Sequence, residues 1–133
     1  MAKSLLSRAA ILEADDLEYE DLEVPEWGGT VRVRALTGAE RDAYEASMRQ
    51  QRGKEFIANL ANVRAKLVVR SVVDDDGERI FSDQDANALG KKSAAALDRI
   101  FECSARLSRL SDEDVEELAK NSEAGQSEGS ISG

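Results

Sequence analysis

Histidine is absent from this chain, and cysteine, proline and tryptophan occur once each, as Cys103, Pro25 and Trp27. One thiol makes no internal disulfide, and without imidazole or a second thiol the nitrogen and sulfur ligands of a zinc site are lacking. General acid-base chemistry would fall to carboxylates or lysines alone. The Gly28-Gly29 pair has no Gly-Lys-Ser/Thr continuation, so there is no cradle for a nucleotide phosphate. Positive charge is the minority, with 18 Lys and Arg against 27 Asp and Glu and a net charge of -9, which repels a nucleic-acid backbone. No apolar run approaches the roughly 18 residues of a membrane span. The N-terminal MAKSLLSRAAILEADD lacks the continuous apolar stretch of a signal sequence and runs directly into acids. These absences lead us to expect a soluble protein with no cofactor, metal, nucleic-acid or membrane partner, and no enzymatic activity.

What is present is enough to fold. Hydrophobic residues make up 41% of the 133 and charged residues 34%, a globular balance for one small domain. The expected fold is α+β and mainly helical: a flexible arm over 1–16, a single domain over 17–120 and a disordered tail over 121–133. The domain divides into a β-hairpin at 20–36 and a helical body of four to five helices at 38–120. In TVRVRAL, Val31, Val33 and Ala35 alternate with Arg32 and Arg34, the period of a strand with one buried face. The expected partner strand sets Val24 against Val31 and Leu22 against Val33, with Glu23 facing Arg32 and Asp21 facing Arg34. Pro25 and the two glycines make the turn. Leu17 and Tyr19 stand out of phase with Leu22 and Val24, which predicts a bulge or a strand start near Glu20.

Helix signals follow. Thr37-Gly-Ala-Glu40 reads as a capping box opening a helix from Gly38 to about Gln50, with Tyr44 and Met48 as its apolar stripe. KEFIANLANVRAKLVVRSVV carries Phe56, Leu60, Val63 and Leu67 at helical spacing and is expected to be the core helix. Asp76-Gly77 turns a small second hairpin. Ser82 caps a short helix that Gly90 ends, and KKSAAALDRIFECSARLSRL forms another amphipathic helix. Ser111 opens a last, acidic helix.

Three features invite a chemical role and have plainer readings. Asp74, Asp75 and Asp76 resemble part of a calcium loop, but Val72 occupies the first ligand position and no bidentate glutamate closes it, so a solvated turn is expected. Cys103 falls on an apolar helix face with no histidine to activate it, as a buried structural thiol does. Trp27 rides on the hairpin turn, either folded over the ribbon or available to anchor a partner.

The run AILEADDLEYEDLEVPEWGGTVRVRALTGAERDAYE, together with VRAKLVVRSVVDDDGERIFSDQDANALGKKSAAALDRIFECSARLSRLSDEDVEELAKN, resembles the tail assembly chaperones of long-tailed, non-contractile bacteriophages, especially those of actinobacterial hosts. The likeness extends from Ile11 to Asn121. It implies a protein of the host cytoplasm that binds the tape measure protein, keeps it soluble and promotes polymerisation of tail tube subunits around it, and that is absent from the mature virion. It also implies a frameshifted longer form of the chain as a partner. Taken with the absence of a nucleotide site, it points to a holdase working without ATP, whose apolar helical faces grip the amphipathic helices of the tape measure. The candidate partner-binding residues are Trp27, Phe56, Leu60, Val63 and Leu107, each with core burial as its alternative. Homo-oligomer formation is open. A structural minor tail or head-tail connector protein retained in the virion is the competing function, and a DNA-binding regulator is disfavoured by charge. The hairpin serves either as a lid over the helices or as an assembly edge, and the lid is favoured because Arg32 and Arg34 blunt a short edge.

Overall fold

Residue alternation builds a sheet first. In the computed structural model, which describes residues 4–110, β1 (Tyr19–Val24) and β2 (Gly29–Arg34) pair antiparallel. The register is Leu22 opposite Val31, Asp21 opposite Arg32 and Val24 opposite Gly29, which shifts the expected pairing by two residues. The turn causes the shift. Pro25–Trp27 coils into a single 3-10 turn and Gly28 takes a left-handed φ of 69°, so the strands close at Gly29 and the loop is shorter than expected. A shift of two preserves which side chains face the core; Val24 and Val33 are fully buried.

Of the two expectations near Glu20, the strand start is the one observed: β1 begins at Tyr19 and pairs with β2 without a bulge. Glu20, Leu22 and Val24 form its inward face, with Glu20 occupying an inward position because Arg106 neutralises it. Tyr19 points outward, with the Arg32 guanidinium 5.0 Å from its ring centroid. Arg32 makes two hydrogen bonds to Asp21, at 2.7 and 3.1 Å. Strand β5 (Val72–Val73) pairs with the other side of β2, giving the order β1-β2-β5.

Helix α2 (Gly38–Ser47) opens on the expected capping box between Thr37 and Glu40. Arg34 donates to the same Glu40 carboxylate at 2.6 and 2.8 Å, fixing the helix start to the sheet. The helix stops at Ser47, three residues short of the expected end, with Tyr44 and Met48 buried.

Residues 49–58 do not join a core helix but form an antiparallel ribbon, β3 (Arg49–Arg52) and β4 (Glu55–Ala58), turned at Gly53 with φ 66°. Its base is closed by Asn59, whose amide donates to the Met48 carbonyl at 2.6 Å. The Asn59 side chain then accepts from the Ala61 amide, a local turn that competes with helix. Asn62 adopts a left-handed φ of 55°. Helix α3 therefore begins at Val63 and ends at Ser71, and Phe56 and Leu60 belong to no helical stripe.

Beyond β5, Gly77 at φ 81° turns the chain so that Val73 bridges to Arg79. A 3-10 turn at Asp83–Asp85, boxed by Ser82, leads into α4 (Ala86–Leu89). Helix α5 (Ala94–Leu107) is capped by Ser93. Val24, Val33, Val68, Val69, Val72, Leu97, Ile100 and Cys103 form the main core between the sheet, α3 and α5. Leu36, Tyr44, Met48, Leu67, Ala105 and Leu110 form a second cluster under α2. In between, the fully buried Ser71 and Ser104 hydroxyls bond to each other, and Ser71 donates to the Leu67 carbonyl, joining α3 to α5 without an orphaned polar atom. The N-terminal residues carry α1 (Arg8–Glu13), capped by Ser7 and exposed along its length. The expected acidic helix from Ser111 and the expected tail over 121–133 lie outside the described residues.

Candidate functional site

The polar clusters act as ties of the fold. Cys103 is 3% exposed; its Sγ donates to Glu20 Oε2 at 3.5 Å, while Arg106 donates to both oxygens of the same carboxylate at 3.0 Å. Burial first, and then the Glu20 carboxylate, push the thiol up to about 11. The arrangement is the reverse of an activated nucleophile, which needs a neighbouring base or cation to favour thiolate. The Arg106 hydrogen bond, followed by that from Cys103, holds Glu20 below its ordinary value. At the acidic turn, the Asp74 carboxylate accepts from the amides of Asp76 and Glu78, closing the loop on itself. No group of three or more Cys, Asp or Glu side chains among the described residues is placed to hold a metal. Asp83 receives Arg79 at 2.6 Å and Arg70 at 3.6 Å.

Large apolar side chains are exposed on and before α1, at Leu5, Leu6, Ile11 and Leu12, and within the domain at Tyr19, at Ile80, and at Phe56 and Leu60, which border grooves. Phe56 on β4 is 59% exposed and Leu60, just beyond it, 43%. The Phe56 ring borders a shallow groove against α2, shared with Asp42, Glu45, Ala46 and Arg49. Leu60 borders a second groove with Val63, Ala65, Ala94 and Leu97, edged by Arg64 and Lys92. Gly90 lies in this groove with ordinary helical backbone (φ -61°). It is glycine because a Cβ there would collide with the Asn62 side chain, which donates to Asn87 at 3.0 Å. An ion pair between Arg64 and Asp98 joins α3 to α5 beside the groove.

The fold and its sequence converge on one group of proteins. The family model described as phage tail assembly chaperone matches residues 6–121. The chain belongs to the phage tail assembly chaperone family. The fold of this chaperone is similar to that of the bacteriophage HK97 tail assembly chaperone, with a TM-score of 0.56 at 16% identity, over 79% of this chain and 94% of that one. No curated protein sequence matches it. The chaperone works in the host cell during phage assembly, with protein partners in tail assembly.

The residues singled out in the sequence are distributed over this chaperone as follows. Leu60 and Val63 share one groove, and Phe56 borders the neighbouring one on the same chain segment. Val63 also packs against the second core cluster. Leu107 is partly buried against the main core. Trp27, 36% exposed, sits on the β1-β2 turn, whose Glu26 pairs with Arg99 of α5 at 3.2 Å. Sequence reasoning passed over Ala94, Leu97 and Gly90 as groove residues, and over Arg49, Arg52 and Lys54 as a basic ribbon. The visible signals for the ribbon are the Arg-Gly-Lys turn and the two asparagines at 59 and 62.

Proposed function

We propose that this chaperone binds the tape measure protein through the Phe56-Leu60-Val63 face, keeps that chain soluble, and releases it to tail tube subunits without ATP. The observation carrying this reading is the exposure of Phe56 and Leu60 on one continuous segment beside two grooves. Large apolar side chains held out of the core on a ribbon are costly to hydrate and suit the apolar stripe of a partner helix. The net charge of -9 keeps loaded complexes apart by repulsion. Release follows when a tube subunit competes for the same partner surface. The role needs no catalysis, so no enzymatic activity is assigned. The protein leaves the assembly before the virion matures, and a frameshifted longer form shares the same docking face.

Co-expression with the tape measure protein tests this. Phe56→Glu and Leu60→Glu change exposed sites and leave folding stability within about 0.5 kcal/mol, yet should return the tape measure to the insoluble fraction. Undiminished solubility with both variants would remove the face from the mechanism. Mass spectrometry of purified particles should find no stoichiometric copy; finding one would favour a retained connector.

A further inference from the structure

The ribbon is basic in an acidic protein. Arg49, Arg52 and Lys54 stand on β3 and its turn against a single Glu55. Among the described residues none of these three cations enters an ion pair, whereas eight other arginines do, from Arg32 on the sheet to Arg106 on α5. All four residues of β3 are exposed, and on β4 so are Glu55 and Phe56. The last described residue, Leu110, is buried in the same cluster as Met48, the residue immediately before the ribbon. The described chain therefore ends in the cluster at the ribbon's root. The sequence that follows, SDEDVEELAK, supplies Asp112, Glu113, Asp114, Glu116 and Glu117 together with the apolar pair Val115 and Leu118.

We infer that the β3-β4 ribbon is a docking surface for residues 112–118 of the same chain, whose carboxylates meet Arg49, Arg52 and Lys54 while Val115 and Leu118 cover the ribbon's apolar side chains. Each exposed ion pair is weak, but a segment tethered beside its site binds at high effective concentration, so a few weak contacts suffice. Asp42 and Glu45 on α2 face the Phe56 side of the ribbon at its base, which steers the acidic segment toward the turn, where Arg52 and Lys54 stand. The docking itself needs no partner, so it is tested apart from the tape measure reading.

A nitroxide attached through Ser122→Cys serves as the probe, since the buried native Cys103 does not compete for label. In the full chain at low salt, the amide signals of residues 50–57 should be broadened more than those of α4. Asp112→Asn, Glu113→Gln, Asp114→Asn, Glu116→Gln and Glu117→Gln together should reduce that broadening about threefold or more, as should ~1 M salt. Arg52→Glu with Lys54→Glu should abolish it, and adding Glu116→Lys and Glu117→Lys should restore it, which separates docking from misfolding. Broadening indifferent to charge, or absent at the ribbon, would overturn the inference. So would broadening that appears only when labelled chains are mixed with separate isotope-enriched ones, because the segment would then come from another copy.

Discussion

Cys103 shows how far one side chain's surroundings decide its chemistry. Burial and a carboxylate neighbour favour the protonated thiol, so the residue packs as a small apolar group and bonds to Glu20. A rise from 9.0 to about 11 lowers the thiolate fraction at neutral pH about a hundredfold, since thiolate is the reactive form. Alkylation by iodoacetamide should therefore be slower in the folded protein than in the urea-unfolded chain by about two orders of magnitude or more. Comparable rates in the two states would mean that this thiol is open to solvent. Cys103 could be read correctly from its place on an apolar helix face. Glu20 could not, because its partner Arg106 lies 86 residues away and no local pattern announces an inward carboxylate.

At the level of elements, capping boxes and alternation were legible because they are local. Thr37-Glu40 and Ser82 start their helices, and the phase of β2 places Val33 in the core. The ribbon at 49–58 was not legible. Phe56, Leu60, Val63 and Leu67 satisfy helical spacing, but spacing alone does not report that Gly53 and Asn62 take left-handed backbone or that Asn59 closes a strand pair. The same misreading kept core burial open as the alternative for Phe56 and Leu60, whose exposure follows from the helix beginning only at Val63. Gly90 carries a related lesson, since its backbone is ordinary and its constraint is the packed Asn62 side chain. Gly90→Ala should cost about 1–3 kcal/mol by overpacking, and Asn62→Gly in the same chain should recover most of it, because removing the side chain clears the collision. Denaturant unfolding measures both, and a destabilisation that Asn62→Gly leaves untouched would place the constraint elsewhere.

Across the whole molecule, ion pairs join elements distant in sequence: Glu20 to Arg106, Glu26 to Arg99, and Asp98 to Arg64. Glu20, Asp21 and Asp83 are all held below their ordinary values, chiefly by hydrogen bonds from Arg106, Arg32 and Arg79 respectively. A depressed carboxylate contributes stability above its unfolded value and loses it as pH falls through the folded one. The melting temperature should therefore hold from pH 7 down to about 5 and decline below about 4, with Glu20→Gln flattening part of the decline. These pairs are exposed and each contributes little alone. Added salt should shrink the effect, and a melting temperature that rises on acidification would contradict this assignment.

The proposed function of the chaperone depends on where its protein partner touches it. Amide hydrogen exchange, measured with the chaperone alone and in complex with the tape measure protein, reports that contact directly. Slowed exchange should centre on residues 55–63 and the first turn of α5, leaving β1 unchanged. Protection confined to β1 and the Trp27 turn, with residues 55–63 exchanging as in the free protein, would contradict it.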